Sequence, residues 1–419
     1  MTIKKGVPFK TACYTIEGMG SFATVIFFNY LYFFMQDQHH YKDKHNLVLA
    51  AVLGLTYAFA SWQAGRFARR YGYFTALKVG FSIMFFSLAI GSQADSEWCQ
   101  KFISQAVGFQ INPAWGQILA AIIATPGMCL IWPTIEALVS EGESPEGVPR
   151  AVGLYNITWA VTNAIAYFIG GTFIQALGFK VIFYLPMCII VGQLALAFWL
   201  QNHATELARV AVHKSPAPPP PPDPNRPSPK RAKAFLHMAW VANPFAYIAI
   251  NTFIAVIPGL AKQLHLSPML AGFTCSLWCF ARLAAFLTLW TWTGWHYRFR
   301  WLVTAFALLV LSFAAMLVVP TLAVLLVAQL FFGAAIGLIY YSSLFYSMDA
   351  SEVKSEHGGI HEAVIGLGNF VGPAVGAASL QFFPQHTHNG GIAVTGLLLI
   401  GFGALLAIWK TAHGSTQAD

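Results

Sequence analysis

Twelve apolar stretches fix what this chain can become. Each is near the roughly 20 residues that a helix needs to cross a bilayer. They fall near 11–36, 46–66, 75–93, 114–139, 151–176, 181–201, 236–258, 269–292, 301–319, 321–347, 360–384 and 391–410. One proline-rich tract, from Ser215 to Lys233, interrupts them near the middle. Proline lacks an N–H donor and favours extended polyproline II, so the tract reads as a semi-rigid spacer. Docking of a partner domain on it is the lesser reading. The organisation expected is a six-helix bundle over 1–201, a linker over 202–235 and a second six-helix bundle over 236–419.

Only 10% of the residues are charged, against about 25% in soluble domains. Such a chain cannot cover its apolar surface, so lipid must be its solvent. Lipid leaves only helices or closed barrels, because backbone groups must be satisfied internally. The apolar runs are twice the length of a barrel strand. The fold class expected is therefore an all-α membrane protein of twelve transmembrane helices.

The net charge of +8 is an orientation signal. With the N-terminus inside, Lys4, Lys5, Lys10, Arg66, Arg69, Arg70, Lys78, Arg150, Arg298, Arg300, Lys354 and Lys410 fall on cytoplasmic edges. The opposite side receives only Lys42, Lys44, Lys101, Lys180 and Lys262. The positive-inside rule then places both termini and the linker in the cytoplasm. No basic patch suits nucleic acid. The stretch from Thr11 to Gln36 is too long for a signal-peptide core, so no cleaved leader is expected. The six cysteines are scattered and read as small apolar fillers. His39, His40 and His45 beside Asp37 and Asp43 read as solvated loop residues, with a surface metal site the weaker alternative. No cofactor is expected: there is no phosphate loop, nucleophile elbow or HExxH, which also argues against an enzyme.

The halves echo each other. At one constant offset Gly153, Asn156, Asn163 and Gly170 of span five meet Gly359, Glu362, Asn369 and Gly376 of span eleven. At a larger offset Gly65–Gly72 after span two meets Gly294–Arg300 after span eight. The difference is close to the length of the 94–113 loop, which has almost no counterpart between spans nine and ten.

At these motifs the chain resembles the major facilitator superfamily. That family's loop between spans two and three reads Gly-x-x-x-Asp-Arg-x-Gly-Arg-Arg. Here Gly65, Arg70 and Gly72 match, and Arg69 replaces the aspartate. The family's antiporter motif, Gly-x8-Gly-x3-Gly-Pro-x2-Gly-Gly, is reduced in span five to Gly153, Gly170 and Gly171. Span eleven carries Gly359, Gly368, Gly372, Pro373 and Gly376 instead. The resemblance implies two pseudo-symmetric bundles that expose a mid-membrane site to alternate sides.

Of sixteen acidic residues only Glu17, Glu136 and Glu362 fall within spans, and Arg282 is the one basic residue that does. A charge at mid-membrane costs about 3 kcal/mol on insertion scales and marks a partner or a wet cavity. A dry site favours a neutral carboxyl, so Glu17 in span one is the proton-coupling candidate. The alternative is a glutamate reaching back to the interface. Arg282 in span eight reads either as the ligand of an anionic substrate group or as half of a structural pair. The resemblance suggests a cytoplasmic gate of Gly65, Arg66, Arg69, Arg70, Gly72, Glu136 and Glu362, with the family's charge pair kept and its signs exchanged. Plain helix capping is the alternative for Glu362. Substrate-binding candidates are Asn29, Tyr30, Trp132, Asn156, Trp159, Asn163, Asn251, Arg282, Tyr340, Tyr341 and Asn369. Helix packing is assigned to Gly170, Gly171, Gly368, Gly372, Pro373 and Gly376.

The function expected is proton-coupled symport of a small organic solute by a monomer in a bacterial inner membrane. Efflux of drugs or metabolites is the first alternative. A transporter-like sensor or a lipid-handling protein is the alternative of a different class.

Overall fold

The computed structural model describes residues 7–109, 111–141, 143, 147–211, 228–319, 321–350, 357–386 and 388–414. Within these, the side chains of 205–211, 348–350 and 357–363, and of a few scattered residues, lie outside the description. Every regular element among the described residues is helical. Among the described residues, twelve helices are long and apolar enough to span a membrane. In chain order they are Phe9–Gln38, Asp43–Tyr71, Tyr73–Gln93, Ala114–Ser140, Arg150–Leu177, Val181–Ala204, Pro229–Gln263, Pro268–Thr291, Phe299–Val318, Leu322–Ser347, Val364–Phe382 and Asn389–Ala412. They are called spans one to twelve.

Local signals explain several ends. Pro229 opens span seven, where a missing N–H costs nothing, and Ser228 Oγ caps it by accepting from the Arg231 N–H. Gly72 turns span two into span three in a conformation suited to glycine (φ 88°). Span one is not uniform: Val25–Asn29 form one π-helical turn. Such turns concentrate at functional positions.

The 94–113 segment is more than a loop. Glu97–Val107 form an eleven-residue helix. Sequence reading treated the segment as an insertion, and a helix this short escapes a search for twenty-residue runs.

The left-handed backbone positions reveal the repeat sharply. His40 (φ 56°) follows span one and His265 (φ 53°) follows span seven. Gly72 follows span two and Tyr297 (φ 51°) follows span eight. Both pairs are separated by the same length of chain. This corrects the register expected for the second echo: Gly72 corresponds to Tyr297, which lies within Gly294–Arg300.

By contact the chain forms two units. The first holds Met1–Lys42, Phe59–Ser215 and Ser267–Phe273; the second holds Asp43–Ala58, Pro216–Leu266 and Thr274–Asp419. Each covalent half thus lends the first part of one span to the other half's unit.

In the first unit the start of span eight packs on span five. A side chain at Gly171 would collide with the Pro268 carbonyl. Phe273 stacks on Phe168 at 4.4 Å, and the Met269 N–H donates to Gln175 Oε1 at 3.4 Å. In the second unit the start of span two packs on span eleven. A side chain at Gly54 would collide with the Asn369 backbone, Gly376 faces Leu47, and Lys44 Nζ donates to Gln381 Oε1 at 2.9 Å.

Candidate functional site

The first unit gathers polar groups around span one. Glu17 is 2% exposed. It accepts a hydrogen bond from Ser21 Oγ at 2.8 Å, one helical turn along. Tyr155 of span five hydrogen-bonds to it, and Glu136 of span four lies within electrostatic range. Gln193 of span six is buried and donates to the Ile16 carbonyl at 2.9 Å. Thr158 and Thr162 face Gly18. Ser21 and Tyr155 thus bring hydroxyls to the carboxyl, while Gln193 holds the neighbouring backbone and the Thr158 and Thr162 methyls pack beside it.

Asn156 and Trp159 extend this region. The Trp159 indole N–H donates to Asn156 Oδ1 at 2.7 Å. Asn156 is buried, at 1% exposure, and Trp159 is half-buried. Trp132 offers its carbonyl to the Tyr155 hydroxyl at 3.4 Å. Asn163 is half-buried two turns beyond Asn156. Shared helical spacing had predicted the Asn156–Trp159 face.

Tyr30 has a different job. It is fully buried, its hydroxyl donates to the Tyr167 carbonyl at 2.5 Å, and its ring fills the space beside Gly170. Burial removes it from a solvated cleft and makes Gly170 its packing partner. Asn29, at the end of the π turn, stays half-buried.

In the second unit Arg282 is 6% exposed. Its guanidinium stands 4.9 Å above the Trp278 ring, one turn back on span eight. Asn251 donates to Asn369 Oδ1 at 2.5 Å and to the Tyr247 carbonyl at 3.2 Å. This joins span seven to span eleven. Gly368 and Gly372 make the approach close, facing the Pro244 and Ile248 carbonyls. Pro373 sits inside span eleven.

Tyr340 and Tyr341 both face Phe286. Tyr341 also meets Trp295, within a cluster that includes Phe345 and Tyr346. The cluster holds the loop after span eight. Trp295 at its centre is 1% exposed, and Arg231 donates to the Tyr297 carbonyl at 2.9 Å.

The gate candidates are only partly placed. Arg66 stacks on Trp62 at 4.2 Å and Arg70 lies 5.4 Å from the Tyr71 ring. Among the described residues no ion pair of Arg66, Arg69 or Arg70 is present. The Glu362 side chain and all of Glu356 lie outside the described residues. Lys10 instead pairs with Glu143, tying the start of span one to the segment before span five. Among the described residues no group of three His, Cys, Asp or Glu side chains could hold a metal.

Sequence reasoning missed Ser21, Tyr155, Gln193 and the two latching glutamines. Ser21 stands four residues from Glu17, on the same helix face, which was a readable signal. Gln175 and Gln381 occupy matching places in the span five and span eleven echo, which was another.

The sequence matches the profile of the Major Facilitator Superfamily over residues 102–373. No curated protein matches it by sequence. Among solved structures it is similar to a point mutant of the nucleoside transporter NupG, at 12% identity and a TM-score of 0.68, over 96% of this chain and 99% of that one. The xylose transporter XylE from E. coli, in a partially occluded inward-open conformation, matches at 14% identity and 0.64, with the same coverage. A point mutant of the peptide transporter POT in complex with sulfate matches at 13% identity and 0.68, over 96% of this chain and 94% of that one. Identities this low carry the fold alone. With the family profile matched over more than half of its length, the chain belongs to the major facilitator superfamily and is a transporter.

Proposed function

We propose that this transporter moves a small organic solute together with protons, by symport. The observation that carries the reading is Glu17, sealed at 2% exposure between Ser21 and Tyr155. A carboxyl in a dry site is costly when charged and cheap when neutral. Proton uptake from one side and release to the other therefore ties its charge to the conformational cycle. The solute would meet Trp159, Trp132 and Asn163 on the first unit, with buried Asn156 orienting the Trp159 ring behind them. Arg282 would supply the counter-charge for a carboxylate or phosphate group on the solute.

The membrane orientation follows from the charge bias, with both termini cytoplasmic and a bacterial inner membrane as the setting. The transporter works as a monomer in this reading, with the covalent halves 1–201 and 236–419 as the moving bodies. Arg69 and Glu362 would form the cytoplasmic gate with the family's signs exchanged. Arg69→Glu should then cut transport about tenfold, and adding Glu362→Arg should restore much of it. A double mutant as inactive as Arg69→Glu alone would remove the pairing.

The test of substrate class is a thermal-shift screen of the purified protein with nucleosides, pentoses, hexoses and dipeptides. The similar structures are named for nucleosides, xylose and peptides, and the panel extends these to close relatives. A true substrate stabilises by mass action. Stabilisation that also changes between pH 5.5 and pH 8, on the order of the span over which a buried carboxyl titrates, is the expected result. A ligand whose binding is blind to pH, and whose uptake is blind to a pH gradient, would defeat proton coupling.

A further inference from the structure

The first unit carries a groove of about 390 Å³ beside span three. Val79, Ile83, Phe86 and Ile90 line it along span three, and Ile123 of span four closes one side. Three- and four-residue spacing places these side chains in one stripe. From Lys78 to Ile90 the stripe rises about 18 Å at 1.5 Å per residue. That slightly exceeds half of a hydrocarbon core of about 30 Å, the depth of one leaflet. Phe86 is 65% exposed and Ile90 46%, so the groove opens to the lipid.

Lys78 stands at one end. Its Nζ donates to Gln201 Oε1 at 2.8 Å and lies 5.0 Å from the Phe198 ring. Both partners belong to span six. Among the described residues no carboxylate pairs with it. Exposed Arg69 and Arg70 lie just before the same helix. Lys78 alone makes that end of the groove cationic, while most of its length is apolar.

The geometry points to a binding site for one anionic glycerophospholipid, its acyl chain in the stripe and its phosphate on Lys78. A free phosphate would leave the apolar stripe unused. A zwitterionic lipid would bring an ammonium to a site that has no carboxylate for it. The second unit supplies the contrast. A groove of about 430 Å³ lies between spans nine and ten, among Leu311, Ala315, Val327 and Phe331. No charged residue lines it, so it takes bulk lipid without headgroup preference. Basic pockets at the cytoplasmic ends of spans are known to hold anionic headgroups.

Native mass spectrometry of the full chain tests the site, with phosphatidylglycerol and phosphatidylcholine of equal acyl length as probes. One phosphatidylglycerol should be retained at least about fivefold over phosphatidylcholine, a preference expected of a charge-assisted contact. Lys78→Gln should erase the preference and leave phosphatidylcholine binding as it was, whereas Lys78→Arg should keep it. Ser82→Phe, which fills the groove with Lys78 intact, should also lower phosphatidylglycerol retention. Ser312→Phe in the other groove should not. The site is overturned if Lys78→Gln keeps the preference, or if both lipids are held equally by the unaltered protein. It is also overturned if Ser82→Phe has no effect, or if glycerol phosphate displaces the lipid at equal concentration.

Discussion

Spans five and eleven occupy matching places in the repeat, yet they use their polar residues differently. Asn156 of span five is oriented from within its own helix by Trp159. Asn369 of span eleven reaches across to Asn251 of span seven. The glutamines farther along behave alike: Gln175 accepts from span eight and Gln381 from span two. Close helix approach and latching by a glutamine recur in both halves. The amides differ: Asn369 joins two helices, whereas its counterpart Asn163 is half-buried and Asn156, opposite Glu362 in the echo, is bonded within its own helix.

The largest effect should come from the shared role. Gly54→Val and Gly171→Val each place a side chain into backbone, at Asn369 and at Pro268. Both should cut transport at least about tenfold, since packed interfaces do not stretch to admit new volume. Initial uptake rates in proteoliposomes would show it. Unequal effects would mean that the two crossings are not functional equivalents.

The divergent amides come next. Asn156→Ala should raise KM severalfold as well as lower the melting temperature, since Asn156 is buried and bonded to Trp159. Asn251→Ala should change stability alone. Removing one member of a side-chain hydrogen bond costs about 1 kcal/mol, and a lower melting temperature with an unchanged KM is the expected outcome. If Asn251→Ala shifts KM and Asn156→Ala does not, the contrast between spans five and eleven is reversed.

The smallest effect separates the two latches. Lys44→Ala and Gln381→Ala should be non-additive, with a coupling of about 0.5 kcal/mol in a thermal double-mutant cycle. Gln175 bonds to a backbone N–H, so Met269→Ala combined with Gln175→Ala should be additive.

Much of this was legible in the residues. Span length and composition alone locate twelve crossings, because lipid admits no other backbone solution. The glycine echo of spans five and eleven follows from helix approach, which only small residues permit. Arg282 and Trp278 sit one turn apart, so their stacking was within reach of helical spacing. Other features depend on what a side chain meets from a distant segment. Tyr30 looked like a cavity residue until Gly170 and the Tyr167 carbonyl enclosed it. Lys44 counts in the sequence only as one of the few cations on the outer side, because nothing in its own helix announces Gln381. Glu97–Val107 is amphipathic and short, so a hydropathy window of membrane length passes over it. The left-handed turns at His40 and His265 carry no glycine, which hid the most regular marker of the repeat.

Glu17 bears the central claim, and gradient-driven uptake tests it most directly. Proteoliposomes holding the unaltered chain should concentrate the ligand found by thermal shift when an inward proton gradient is imposed. With Glu17→Gln they should only equilibrate it, while exchange across the membrane continues. Accumulation by Glu17→Gln with the same dependence on the gradient would contradict the account.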